Sequence, residues 1–255
     1  MEENNYFEVR NLSKRFGGLL ALDELSFSLD KGRINALIGP NGAGKTTVFN
    51  TITGFLRADN GKIIYKNVEI TNLSPIKIVS WGIVRTFQEV RLFLKLKAID
   101  NVVLGIQKQK GENALWALLR RNRVKEETRR NVRKAEQILS ILDLTSSSKE
   151  LAENLSYGEQ KLLIIARLLA TDADLLLFDE PTAGLTSQEI EKVLEVIRSL
   201  KYLGKTVFLI DHNMGAIMDV ADHIIVLDHG RKIAEGRPAE IQANDEVIQA
   251  YLGMP

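Results

Sequence analysis

Cysteine is absent from the 255 residues, which excludes disulfides and thiolate chemistry and fits a reducing compartment. Long apolar runs are absent too. None approaches the ~20 residues needed to cross a bilayer, so any link to a membrane has to come through a partner. Nor does one sign of charge prevail: 34 Lys and Arg stand against 33 Asp and Glu, a formal net charge of +1. That balance gives no global attraction to nucleic acid or to a lipid surface. The opening residues, MEENNYFEVR, are acidic and polar, unlike a secretory signal. Internal repeats and low-complexity linkers are missing as well. The expectation is a soluble, cytoplasmic chain of one large domain or two small ones, long enough for a substantial core.

What is present centres on GPNGAGKTT: Gly39, Pro40, Asn41, Gly42, Ala43, Gly44, Lys45, Thr46 and Thr47. An apolar run (Ile34, Ala36, Leu37, Ile38) precedes it as a buried strand. VFNTITGF follows as a helix packing Val48, Phe49 and Ile52. Strand, glycine-rich turn, then Lys-Thr at a helix start is a phosphate-binding loop. Glycines let successive backbone N–H groups curl around phosphate oxygens with no Cβ in the way, and the helix N-terminus adds partial positive charge. Lys45 is expected to reach the terminal phosphates and Thr46 to offer its hydroxyl to magnesium.

In chain order, residues 6–38 read as short strands separated by turns, Leu25, Phe27 and Leu29 alternating with polar residues. KRFGG places Phe16 in a turn, either as a core phenylalanine or as an aromatic plate under a nucleobase. Residues 61–70 read as a strand pair on the edge of the first sheet. A short helix after Ser74-Pro75 leads to a strand, with Gln88 at its end as a polar loop residue or a metal ligand. From about 97 to 171 the pattern turns helical, with Ala135, Ile138, Leu139 and Leu142 at helical spacing. Residues 114–134 carry a basic run: Arg120, Arg121, Arg123, Lys125, Arg129, Arg130, Arg133 and Lys134. It reads as a solvated insertion or as a surface for anionic lipid, where each basic residue contributes about 1 kcal/mol.

Leu155-Ser156-Tyr157-Gly158-Glu159-Gln160 opens another helix. Ser156 with Glu159 fits a capping box, and a serine cap followed by glycine is also an anion-binding helix start. LLLFDEP, residues 175–181, is an apolar strand that delivers Asp179 and Glu180 to a sheet edge where α/β ligands bind. Asp179 suits a magnesium-water ligand, and Glu180 suits the polarising of an attacking water. Strand TVFLID ends beside His212, a candidate for contacting the terminal phosphate. HIIVLD, a turn at His229-Gly230, RKIAEG and a helical tail PAEIQANDEVIQAYLG complete the chain.

The phosphate loop, Gln88, LSYGEQ, LLLFDEP and His212, in this order and spacing, resemble the nucleotide-binding subunit of an ABC transporter over essentially the whole chain. FGGLLALDELSF, GIVRTFQEVRLF, the basic insertion, LSYGEQ and EVIQAYLG are similar to the ATPases of branched-chain amino-acid importers. The ATPases of urea-type importers, of lipopolysaccharide export and of soluble non-transport systems are the alternatives. The resemblance implies an α/β P-loop fold of ABC type. It has a mixed or parallel sheet core with an antiparallel β subdomain (approximately 1–96 and 172–255) and an inserted helical subdomain (97–171).

The resemblance further implies that Phe16 stacks on adenine while Gly39 to Thr47 hold the phosphates of ATP. Thr46, Gln88 and Asp179 serve Mg2+ and its waters. Lys45, Gln88, Glu180 as base and His212 at the γ-phosphate carry catalysis. Ser156 and Gly158 contact ATP held by a second ATPase subunit, identical or different, in a head-to-tail dimer. The implied setting is the cytoplasmic face of the membrane. Transmembrane permease subunits are direct partners there, a solute-binding protein is an indirect one, and no nucleic acid takes part. Four positions depart from the wider pattern: Tyr157 in place of glycine, Glu159 of glutamine, Thr186 of aspartate and Asp211 of glutamate.

Overall fold

The structure, a computed structural model, describes residues 6–87, 91–107 and 121–252, with the backbone alone for 121–124 and 252. Five strands share one direction: β9 (His223–Asp228), β3 (Ile34–Ile38), β8 (Thr206–Ile210), β7 (Leu175–Asp179) and β6 (Ile83–Arg85), in that spatial order. An antiparallel edge strand, β10 (Arg231–Gly236), lies outside β9. Every residue of β3, β7 and β8 is buried, as expected for parallel strands covered on both faces. Their side chains alternate between two cores. Leu176 and Phe178 of β7 pack with the helices, while Leu175 and Leu177 pack on the opposite side.

That opposite side is covered by helix α1 (Lys45–Ile52) and a four-stranded antiparallel sheet in the order β2-β1-β4-β5. Its strands are β1 (Phe7–Phe16), β2 (Leu19–Leu29), β4 (Asn60–Tyr65) and β5 (Val68–Glu69). The expected strand pair on the edge is therefore found as β4 and β5. The expectation of short strands over 6–38 is corrected: β1 and β2 form one long hairpin. Register shifts between Val9 and Arg15, with Asn11 and Glu24 at φ 46° and 48°, bend it over the core. Alternation shows that strands exist; it does not show how far a bulged pair continues.

Among the described residues, six helices and a short 3-10 turn (Ala152–Asn154) lie between the first sheet and the tail. They are α2 (Pro75–Ser80), α3 (Ala98–Val103), α4 (Arg121–Ile141), α5 (Tyr157–Ala170), α6 (Ser187–Leu200) and α7 (Met214–Val220). Ala135, Ile138, Leu139 and Leu142 are buried with Leu162, Ile165, Ala166 and Leu169 of α5, as their spacing predicts. The tail is two helices and not one: α8 (Pro238–Gln242) stops at Ala243, and α9 (Asp245–Leu252) restarts where Asn244 Oδ1 accepts from Glu246 and Val247 N–H. Asparagine competes for backbone donors in this way and breaks the run.

Candidate active site

Parallel strands end at one edge of the sheet, so β3, β6, β7, β8 and β9 deliver their following residues together. After β3 the chain turns through Gly39, at φ 152°, where a Cβ would lie 2.0 Å from Leu227 O. Gly44, at φ 104°, opens α1; a Cβ there would lie 2.6 Å from Ala21 O. No side chain caps this helix and no acid stands in its first turn. Its leading N–H groups are thus aimed, without a side-chain acceptor, at the space an anion would fill. Lys45 is buried, and its Nζ donates to Gly39 O (2.6 Å) and Pro40 O (2.8 Å). Burial pushes its amine below the ordinary lysine range, with Glu180 opposing the drop.

Backbone bonds tie this loop to distant segments. Gly230 N–H donates to Ala43 O (3.0 Å), and Asp23 N–H donates to Gly230 O (3.0 Å). A cavity of about 360 Å³ opens over the loop, lined by Phe16, Lys45, Thr46, Glu180, His212 and His229 among others. Phe16 is the last residue of β1 and is 48 % exposed. The core alternative for this ring is thereby corrected; it faces the same cavity as the phosphate loop.

Glu180 follows β7 in a left-handed conformation, φ 50°, which is strained for a residue with a Cβ. Its N–H donates to Ile210 O at 2.8 Å, and its Oε1 lies 2.7 Å from His212 Nε2. The imidazole Nε2 and the carboxylate of Glu180 are thus paired at the mouth of the cavity. Asp211, buried, accepts from Thr182 N–H and Oγ1 and from Asn213 N–H. It clamps the loop after Glu180 to the loop bearing His212, a role that its departure from glutamate had not suggested.

Asp179 is 7 % exposed and does not line the large cavity. Its N–H donates to Thr86 Oγ1 at 3.0 Å, and its Oδ2 accepts from Arg85 Nη2 at 2.5 Å. Sequence reasoning passed over Arg85. The available signal was a charged residue inside the apolar strand GIVRTF. Gln88 lies outside the described residues.

The start of α5 is elsewhere. Ser156 Oγ accepts from Glu159 N–H, and Glu159 Oε2 accepts from Ser156 N–H, the full capping box. Glu159 also takes Ser147 Oγ–H at 2.7 Å. That bond first, with Ser156 N–H behind it, holds the Glu159 carboxyl below its usual range. A second cavity of about 230 Å³, lined by Ser156, Gly158, Gln188 and Glu189 among others, shares no residue with the first. Within one chain Ser156 and Gly158 are not brought to the phosphate loop. Thr186, in place of aspartate, caps α6 through a reciprocal pair with Glu189.

Of the basic run, Arg120 lies outside the described residues, and Arg121 and Arg123 are described by backbone alone. Lys125, Arg129, Arg130 and Arg133 are exposed. Lys134 turns away from that set: it donates to Ala170 O at the end of α5 and pairs with Asp172.

The residues fit a nucleoside triphosphate with magnesium. The cradle is one a Cβ would obstruct at Gly39 and Gly44, and the candidate metal donors, Thr46 and Asp179, are oxygens. Among the described residues no group of three or more His, Cys, Asp or Glu could hold a metal. Magnesium needs no such cage, since it keeps waters and substrate phosphates as ligands.

Comparison with known proteins agrees with a nucleotide-binding site. The ABC transporter family matches residues 22–183, and a branched-chain amino acid ATP-binding cassette transporter segment matches 231–253. The chain is 39% identical over 247 residues to the high-affinity branched-chain amino acid transport ATP-binding protein BraF of Pseudomonas aeruginosa, covering 96% of this chain and 97% of that one. The crystal structure of the ADP conformation of an ATP-binding cassette of an ABC transporter superposes with a TM-score of 0.84 at 34% identity, over 98% of this chain and 99% of that one. A dimeric cassette in a post-hydrolysis state, bound to ADP and Pi, gives 0.74 at 25% identity, over 91% and 98%.

Proposed function

The chain belongs to the ABC transporter family, and from that premise we propose that it is the ATP-binding and hydrolysing subunit of a membrane importer for branched-chain amino acids. The observation that carries the solute is the match of residues 231–253 to a segment described for branched-chain amino acid cassettes. BraF supports it over nearly the full length. No helix among the described residues is long and apolar enough to cross a membrane. The subunit would sit on the cytoplasmic face, held by permease subunits, with residues 97–171 as its helical subdomain.

In this reading Phe16 stacks on adenine, and Gly39 to Thr47 wrap the phosphates, with Lys45 released from Gly39 O and Pro40 O to reach them. Thr46, Gln88 and Asp179 would hold magnesium and its waters; the bound ion offsets charge on the phosphate oxygens. Glu180 takes a proton from the attacking water. His212 Nε2–H orients that carboxylate through the 2.7 Å contact and stands by the γ-phosphate. Ser156 and Gly158 serve a second subunit's nucleotide, which makes the working unit a dimer with two composite sites. The two cavities with no shared residue support that division.

Co-purified membrane subunits, reconstituted with the chain in vesicles, test the reading through radiolabelled solute uptake. Leucine uptake that requires internal ATP is the expected result. ATP-driven uptake of urea with none of leucine would overturn the solute.

A further inference from the structure

Arg85 ends a strand whose other residues, Ile83 and Val84, are buried and apolar. Its two amino groups part company. Nη2 donates to Asp179 Oδ2 at 2.5 Å, and Nη1 donates to Asn50 Oδ1 on α1 at 2.7 Å. The Arg85 and Asp179 side chains are only 5% and 9% exposed. The guanidinium also lies near the rings of Phe49 and Phe87, 5.3 and 5.5 Å from their centroids. One side chain thus braces three parts: the helix that opens with Lys45 and Thr46, the strand ending in Asp179, and the strand leading towards Gln88.

Two features of this brace concern charge. A buried carboxylate and guanidinium compensate each other, and removal of either leaves the other exposed to a desolvation cost. Arg85 Nε, moreover, is buried with no partner. A donor left without an acceptor makes its present orientation less favourable than a saturated one. The Asp179 main chain, by contrast, is fixed through its N–H to Thr86 Oγ1. The residue can change the partner of its carboxylate without moving its backbone.

We propose that Arg85 is a positioning residue that competes with magnesium for Asp179. It holds the carboxylate in place and compensates its charge in the metal-free protein, and it yields that carboxylate when nucleotide and metal bind together. This rests on the reading of Asp179 as a group that serves magnesium. Competition of this kind is a coupling between two occupants of one carboxylate, so removing one occupant strengthens the other.

The test uses the full chain with Arg85→Gln, Arg85→Lys and Asp179→Asn, and Mn2+ as a paramagnetic probe in the ADP complex. Arg85→Gln is expected to bind Mn2+ at least about fivefold more tightly, the lower end of typical site couplings. Its affinity for ADP in EDTA should match wild type, and Arg85→Lys, which keeps the charge, should restore the wild-type Mn2+ affinity. A purely structural brace would leave Mn2+ binding unchanged or weaker. That result, with Asp179→Asn weakening Mn2+, overturns the competition and spares the role of Asp179. Wild-type Mn2+ affinity in Asp179→Asn removes the role of Asp179, and the competition with it. Should Arg85→Gln fail to fold, the wild-type protein decides. The 15N resonances of the Arg85 guanidinium, assigned by their loss in Arg85→Lys, must shift when Mg2+ joins ADP and not with ADP alone. Identical spectra in the two states overturn the proposal.

Discussion

Two helices of this molecule begin at sites named for phosphate, and they begin in opposite ways. Helix α1 starts on a left-handed glycine with no side-chain cap and no acid in its first turn. Helix α5 starts on Ser156 with a reciprocal capping box. Glu189, from α6, lines the same cavity as Ser156 and Gly158. A cap of this kind contributes about 0.5–2 kcal/mol, which α1 forgoes. Buried Val48, Phe49 and Ile52 hold α1 in place instead. The unfilled start is the one surrounded by Lys45, Glu180 and His212. A helix start that its own chain satisfies is a stable end; one that its chain leaves open can take an anion. In the proposed dimer the first adds contacts to a nucleotide on another subunit, while the second does the holding.

The largest effect should come from removing chemistry at the unfilled start while leaving both helices intact. Glu180→Gln is expected to slow turnover by about 10²–10⁴-fold, the range for a general base, with ATP binding preserved by equilibrium measurement. Near-normal hydrolysis would take Glu180 out of the mechanism.

The comparison itself is broken or sharpened by mixing mutants. Lys45→Ala disables the α1 start and Ser156→Arg blocks the α5 start, so each should be inactive alone. If the two starts meet only across a dimer, a mixed dimer holds one site with both defects and one with neither, and hydrolysis reappears. Absence of recovery in verified heterodimers, when wild type mixed with either mutant does recover, would place both contacts in one chain.

Next in size is the cavity wall beside α1. Phe16→Ala should weaken ATP binding by roughly 1–3 kcal/mol, as for base–aromatic stacking elsewhere, and weaken inorganic triphosphate binding less. Equal losses for both ligands would separate Phe16 from the base. The smallest effect belongs to the capped end. Ser156→Ala should lower stability by about 1 kcal/mol in urea unfolding of the nucleotide-free chain. An unchanged midpoint would mean that Glu159 alone suffices to cap α5.

Most of the candidate site was legible because it is written locally. A glycine turn between an apolar strand and a Lys-Thr helix start, or two acids after LLLF, carries its geometry within about ten residues. What was not legible depends on which strands become neighbours. Arg85 meets Asp179, 94 residues on, because β6 pairs with β7, and Asp211 reaches Thr182 because β7 pairs with β8. Phe16 had two readings because a turn beside glycines can face inward or outward, and bulges in β1 decide which. The long hairpin and the split tail were missed for a similar reason, since alternation and helical spacing survive a bulge or a one-residue break.

The backbone relay from Ala43 through Gly230 to Asp23 bears on the protein's synthesis. The phosphate motif leaves the ribosome well before the strands that flank β3, since β3 lies between β9 and β8, both more than 150 residues further along the chain. The loop's own carbonyl waits for an amide almost two hundred residues away. At about 5–20 residues per second, the nascent chain would carry a complete phosphate-binding sequence for roughly 10–40 s before that loop acquires its final neighbours. During that interval β3 is an unpaired apolar segment, exposed to chaperones and to other nascent chains. Nucleotide can reward folding only after β8 and β9 have followed the loop off the ribosome.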